Sequence, residues 1–237
     1  MSLPRYKRVL IKISGEALAG DGKTGIDPAV LSNLAAEIQE LAGMGVSVAL
    51  VIGAGNFFRG AMGEELGIER YVGDYMGMLA TVMNSLAMKN ALDKRSVASR
   101  VMSPIAMNEI AEHYTIRSAL SLLEQGTVVI AAGGTGHPYF TTDTASALRA
   151  IELKCDVMLK ATRVDGVYTD DPEKNPAAEK INSIPYLDVI KNQLRVLDLT
   201  SVSLCMDNNL PIIVFDLFQK DALKKIVAGE NIGTVIS

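Results

Sequence analysis

The stretch Thr127-Val-Val-Ile-Ala-Ala-Gly-Gly-Thr-Gly-His-Pro-Tyr-Phe-Thr-Thr-Asp143-Thr-Ala-Ser-Ala-Leu-Arg-Ala-Ile151 decides how this chain folds. Its opening, Thr127-Val128-Val129-Ile130, has the β-branched composition of a buried strand, and residues 145–151 have the composition of a helix. Between them lie Gly133, Gly134 and Gly136, several hydroxyls and the carboxylate of Asp143. A glycine-rich turn from a strand into a helix N-terminus presents N–H groups to a negatively charged ligand, so the segment reads as an anion and nucleotide cradle.

Working outward, strand candidates fall at 8–13, 46–52, 97–102, 127–131, 157–160, 212–215 and 234–236, with helical patterns in most of the gaps. Asp27-Pro28 supplies an N-cap and an N1 proline for a helix running to about Met44, and Gly45 stops it. Asp74 is expected to cap a long helix over 75–92, and Thr115 one over 116–125. Strands alternating with helices predict an α/β fold with a mostly parallel sheet covered on both faces, and ligands outside the carboxyl ends of its strands. The alternation breaks at 162–185, rich in Asp, Pro, Lys and Asn, which reads as an exposed flap. Neither a linker nor an internal repeat interrupts the chain, so one domain over 1–237 is expected.

Composition narrows the function classes. With 49% apolar and 21% charged residues and a net charge of -4, this is an ordinary globule without the basic excess of a nucleic-acid binder or a polybasic membrane anchor. No apolar run approaches membrane length, and the 9–13 segment after Arg5, Lys7 and Arg8 is too short for a signal core. Cys155 and Cys205 suggest neither a zinc site nor a disulfide framework, which fits a reducing cytoplasm. His113 and His137 are the only histidines, leaving little material for a His-based triad or metal centre.

Two nucleotide motifs are only imitated. Gly22-Lys23-Thr24 resembles the end of a P-loop, but its first glycine would fall at Ala17; Gly53-Ala54-Gly55 resembles a dinucleotide fingerprint, but Phe58 takes the third glycine's place. Other residues point to phosphate chemistry. Lys12-Ile13-Ser14-Gly15 closes the first strand, where an ammonium could neutralise a transferring phosphoryl group, although these four residues by themselves read more readily as an ordinary exposed lysine before a turn. In Gly53-Ala54-Gly55-Asn56-Phe57-Phe58-Arg59-Gly60 the glycines permit close approach to a phosphate that Arg59 could grip, or they serve turn geometry alone. Asp74 could bind a ribose hydroxyl or merely cap its helix, and Lys160 ends a strand as a second cation or as part of a charged loop. With no candidate nucleophile, this inventory fits phosphoryl transfer, which needs positioning and charge neutralisation more than covalent chemistry.

The segments 12–18, 51–60, 73–84, 134–143 and 159–168 resemble the bacterial uridylate (UMP) kinases of the amino acid kinase family, and the likeness spreads over 6–236. Segments 73–84 and 134–143 separate this branch from carbamate and acylamino-acid kinases. The resemblance implies a three-layer α/β/α sandwich, phosphoryl transfer from ATP to UMP for pyrimidine nucleotide synthesis, and a cytoplasmic homohexamer. By similarity, Lys12, Ile13, Ser14, Gly15, Gly55 and Arg59 surround the ATP phosphates, while Thr162, Tyr168 and Asp171 hold the adenosine. Ala54, Asp74, Thr135, Gly136, His137, Pro138, Tyr139, Phe140, Thr141 and Thr142 bind UMP. Lys12 and Lys160 stabilise the transferring group, and Asp143 and Asp198 organise those lysines or magnesium, which is bound mainly through ATP. UTP is implied as an inhibitor and GTP as an effector, with Arg100 matching the family while Asp93 and Thr127 stand where basic residues often help bind that effector. Ala54 replaces a frequent glycine, which a negative φ tolerates, and His137 replaces the usual asparagine.

Arg59→Ala is expected to lower kcat/KM about 30-fold, the loss of a charge-assisted fork of about 2 kcal/mol. Asp74→Asn is expected to weaken turnover without dissociating the oligomer, and steady-state kinetics with sizing chromatography check both; wild-type rates would remove the residue from the site.

Overall fold

The computed structural model describes residues 4–22, 24–58, 63, 66–170, 175, 177–194 and 196–237. Among these the strands are β1 (Arg8–Ile13), β2 (Ser47–Ile52), β3 (Ser99–Ser103), β4 (Glu112–His113), β5 (Val128–Ala131), β6 (Val157–Thr162), β7 (Val167–Tyr168), β8 (Lys180–Ile181), β9 (Ser183–Ile184), β10 (Ile212–Asp216) and β11 (Thr234–Ile236). The helices are α1 (Gly15–Leu18), α2 (Pro28–Gly43), α3 (Arg70–Asp93), α4 (Ile116–Glu124), α5 (Thr142–Glu152), α6 (Tyr186–Lys191), α7 (Leu199–Asp207) and α8 (Ala222–Ala228).

Nine strands form one sheet in the order β4-β3-β5-β2-β1-β6-β10-β11-β9, parallel throughout except for the antiparallel β10–β11 pair. Alternation along β1 divides the core: Val9, Ile11 and Ile13 face α2, α3 and α8, whereas Leu10 faces α4, α5 and α7. The result is the three-layer sandwich that the strand and helix alternation predicts. Lys12 shares Leu10's side of β1, and Lys160 shares Met158's side of β6, so both lysines emerge under α5. The chain leaves β1 for β2 on one side, while β6 flanks β1 on the other. That makes the carboxyl end of β1 a switch point in the sheet.

Several boundaries follow directly from local chemistry. Asp27 caps α2 by accepting from the Ala29 and Val30 N–H groups at 2.7 and 3.1 Å, with Pro28 opening the helix and Gly45 leaving it at φ +81. Thr115 caps α4 as expected. Asp74 does not cap α3, because that helix begins four residues earlier at Arg70, with Glu69 at the N-cap. The extra turn is supported by the Arg70 guanidinium, whose Nε lies 3.1 Å from both Asp74 oxygens at i,i+4 spacing. The segment 162–185 also differs from a uniformly exposed flap. Its β7–β8 ribbon stands beside the main sheet, but Val167 and Ile184 are buried and β9 pairs with β11 at the sheet edge. Among the described residues no helix is long and apolar enough to cross a membrane.

Asp27→Ala removes a cap that satisfies two helix N–H groups and should destabilise the protein by about 1 kcal/mol. Urea unfolding would show the midpoint falling with the slope unchanged.

Candidate active site

Lys12 and Lys160 are direct cross-strand partners on the adjacent parallel strands β1 and β6. Both are almost fully buried, and two like charges brought so close require an anion between them. Asp143, in the first turn of α5, supplies it: Oδ1 lies 2.8 Å from the Lys12 ammonium and Oδ2 lies 2.7 Å from that of Lys160. The Lys160 contact is a directed hydrogen bond, whereas the Lys12 contact is a close ion pair that leaves Oδ1 without an aligned donor. Lys160 also donates to the Val196 carbonyl. Burial alone would raise the Asp143 pKa, but the two ammonium groups outweigh it and hold the carboxyl below its usual range. Burial, joined by the like charge of Lys12, lowers the Lys160 pKa despite the attraction of Asp143.

Asp198 has a different place from the one expected. It caps α7, and its carboxylate accepts from the Thr141 hydroxyl at 2.5 Å, the Thr144 hydroxyl at 2.9 Å and the Ser201 N–H at 2.9 Å. Thr141 in turn caps α5, and the Ser201 hydroxyl donates to the Asp143 carbonyl. Asp198 therefore locks two helix N-termini together and reaches Lys160 only through its charge. Among the described residues no three His, Cys, Asp or Glu side chains gather as a metal site. Both Asp143 oxygens face ammonium groups and Asp198 holds three hydrogen bonds, so both of these carboxylates are already engaged within the chain.

The loops after β1 and β2 are packed backbone to backbone. A Cβ on Gly15 would lie 2.6 Å from the Gly53 carbonyl, the Gly55 nitrogen and the Asn56 side chain, so the start of α1 can approach this loop only as glycine. Ser14 caps α1, accepting from the Ala17 N–H, and Ile13 accepts from the Gly53 N–H. Beneath the loop, Asn56 and Asn84 form a buried reciprocal amide pair at 2.8 and 2.9 Å, and each amide donates onward, to Gly25 and Gly53 carbonyls respectively. One turn earlier on α3, the Thr81 hydroxyl accepts from the Gly133 N–H at 2.8 Å. A single helix thus fixes both glycine loops.

Two cavities lie at this end of the sheet, one lined by Lys160 and the other by Thr142 beside Asp143. One of about 170 Å³ is lined by Ala54, Phe58, Gly73, Asp74, Gly77, Met78, Thr81, Gly134, Thr135, Phe140, Thr141 and Thr142, which brings together Ala54, Asp74, Thr135, Phe140, Thr141 and Thr142 of the expected acceptor residues from three separate segments, whereas Gly136, Pro138 and Tyr139 do not line it. Asp74 accepts from the Tyr139 N–H at 2.7 Å and thereby holds Tyr139 at φ +72. Ala54 is not in the left-handed region, so its methyl group is tolerated. The second cavity, of about 710 Å³, includes Lys160, Thr162 and Tyr168 together with Asn192, Gln193 and Leu194, three residues that sequence reasoning missed. His137 joins neither; it lines a different cavity with His113, Tyr114 and Arg149. Arg59 and Asp171 lie outside the described residues.

The amino acid kinase family model matches residues 7–216. The chain belongs to the amino acid kinase family. A uridylate kinase of Parabacteroides distasonis is 53% identical over 234 residues, covering 99% of each sequence. The UMP kinase structure from Bacillus anthracis superposes with a TM-score of 0.95 at 40% identity, covering 98% of this chain and 96% of that one. The one from Ureaplasma parvum gives 0.93 at 34%, covering 98% and 99%. In this amino acid kinase, Asn56, Asn84, Thr81 and Arg149 were missed from sequence because a buried amide or hydroxyl looks like any other polar residue until its partner is known. Their only local signal was polarity inside otherwise apolar surroundings.

The depressed Asp143 pKa carries a sign. Its contribution to stability is complete above the ordinary carboxyl value of 3.8 and is lost as pH falls through the lower folded value. The stability gap between wild type and Asp143→Asn should therefore be constant near neutrality and shrink only below about pH 4. Thermal unfolding across pH measures it, and a gap that closes between pH 5 and 7 would contradict the ion-paired arrangement.

Proposed function

We propose that this chain transfers the γ-phosphoryl group of ATP to UMP, giving ADP and UDP for pyrimidine nucleotide synthesis. The observation that supports this most is the pairing of two cavities with one buried cationic centre. Lys160 lines the larger cavity, and Thr142, next to Asp143, lines the smaller. The uridylate kinase name of a relative 53% identical over the whole chain supports UMP as the acceptor.

In this reading ATP occupies the larger cavity, with its phosphates along Ser14, Gly15 and Gly55 and the adenosine by Thr162 and Tyr168. UMP occupies the smaller, with Asp74 on the ribose. One carboxylate shared by two ammonium groups leaves the centre with a net positive charge, available to the charge spread over the transferring oxygens. Asp143 keeps both lysines extended into place, and Asp198 fixes the helix start that carries Asp143. No general base is needed, because the attacking UMP oxygen is already anionic at neutral pH. Magnesium enters as the ATP complex, as a hard cation that keeps phosphate oxygens and waters as ligands.

UTP fits an inhibitor through its uridine half in the acceptor cavity, and GTP is the proposed effector by resemblance. A homohexamer is favoured by the apolar side chains of Tyr71, Tyr75, Met76, Leu79, Met83 and Leu86, all exposed along α3. The free thiols of Cys155 and Cys205 agree with a cytoplasmic location. The chain acts as one domain, with 162–185 on the nucleotide side. A coupled assay of ADP release with UMP, CMP, dCMP and acetylglutamate should show turnover with UMP well above the others, and UMP turnover no greater than buffer would refute the acceptor assignment.

A further inference from the structure

Arg149 sits in α5 on the face away from solvent, 5% exposed, with its guanidinium stacked 4.0 Å from the centre of the Tyr114 ring. Its Nη1 donates to Glu152 Oε2 at 2.7 Å, and the Tyr114 hydroxyl donates to the same oxygen at 2.8 Å. The plane of the fork is therefore fixed from below and from one side. The remaining arm, Nη2, donates to the Gly134 carbonyl at 3.2 Å. Beyond its ion pair with Glu152, the guanidinium thus spends a charged donor on one backbone oxygen, outside the described phosphoryl centre.

The consequence lies on the other side of that peptide. In a trans peptide the carbonyl and the following N–H point in opposite directions. Arg149 lines the cavity that holds His137, whereas Gly134 lines the acceptor cavity and Thr135 lines both. Drawing the Gly134 carbonyl toward Arg149 thus turns the Thr135 N–H toward the acceptor cavity. Among the described residues that N–H makes no hydrogen bond, although the Thr135 hydroxyl is engaged with the backbone of His137. Gly134, at φ +59, flanks that peptide on one side, and without a side chain it lets the peptide rotate at little steric cost there. Without Arg149 the same peptide could present its carbonyl instead, exchanging a donor for an acceptor. Arg149 lies six residues beyond Asp143 on α5, about 9 Å along the helix axis, which puts the oriented N–H at the end of the acceptor site remote from the phosphoryl centre.

We propose that Arg149 is a positioning residue that sets the orientation of the Gly134–Thr135 peptide, so that the Thr135 N–H reads a carbonyl oxygen of the acceptor's pyrimidine base and disfavours an amino group there. The inference rests on the UMP kinase reading. A donor left facing an amino group forfeits its hydrogen bond, the kind of mismatch that discriminates strongly in a site built to pair.

The test is Arg149→Met, which keeps the bulk of the side chain and removes every donor, beside Arg149→Lys, which keeps one. Arg149→Met should raise the KM for UMP about tenfold, the worth of one oriented hydrogen bond, with kcat and the KM for ATP within about twofold. Its preference for UMP over CMP in kcat/KM should fall by a similar factor, and Arg149→Lys should recover part of both. In the wild-type protein, saturating UMP should slow exchange of the Thr135 amide hydrogen, and ATP alone should not. An unmoved UMP KM, UMP and ATP KM values that rise together, or an unchanged UMP to CMP ratio overturns the proposal. Should the variants not fold, the wild-type exchange decides it: a Thr135 amide indifferent to UMP overturns it equally. Wild-type enzyme without UMP-dependent turnover removes the acceptor reading and this inference together, whereas normal wild-type turnover with an unaffected Arg149→Met removes this inference alone.

Discussion

One carboxylate between two lysines is the constraint around which the rest of this molecule is arranged. Lys12 and Lys160 are placed side by side by strand register, on a face of the sheet that α5 covers. Two buried ammonium groups without an anion would carry a desolvation penalty of several kcal/mol each. The α5 helix must therefore start where it does, so that Asp143 falls between them. Thr141 caps the helix, and Asp198 binds that cap and the start of α7 together. Charge that would be a liability in an ordinary core becomes a fixed cationic end to the larger cavity, beside the residue that borders the smaller one.

The second organising element is α3. Its buried face carries Asn84 under the Gly53 loop and Thr81 under Gly133, while Asp74 reaches the Tyr139 backbone. Both glycine loops are flexible by composition, and both are held by side chains from this one helix. The loop after β5 is further pinned by Arg149 at Gly134 and by Asp198 at Thr141. A loop rich in glycine is useful for approaching a phosphate, but only when its peptide planes are prevented from turning.

Most of the fold was legible because its signals are local. β-Branched runs marked β1, β2, β5, β6 and β10, and Asp27-Pro28 and Thr115 marked helix starts through the chemistry of their own first turns. Asp74 misled because an aspartate before an apolar run looks like a cap; here an i,i+4 partner at Arg70 extends the helix past it. The short strands β7, β8 and β9 were hidden in a polar segment because two-residue pairings leave no periodic pattern. At the candidate site, Lys12, Asp143 and Lys160 were visible as residues at strand and helix ends. The family likeness named Asp143 and Asp198 together as organisers of the lysines; that Asp143 alone contacts both while Asp198 clamps helix ends depends on tertiary placement.

The sequence by itself determined the alternating strands and helices, the glycine loops that end them and the inventory of charged groups at those ends, since each is a property of neighbours along the chain. Tertiary structure alone decided which of those groups meet. Cross-strand register put Lys12 beside Lys160, helix packing brought Asn84 and Thr81 under loops far from them in sequence, and a buried Arg149 reached the Gly134 carbonyl in the loop after β5. The division is physical: propensity and capping act over a few residues, whereas a buried polar group takes whatever partner the fold carries within hydrogen-bond reach.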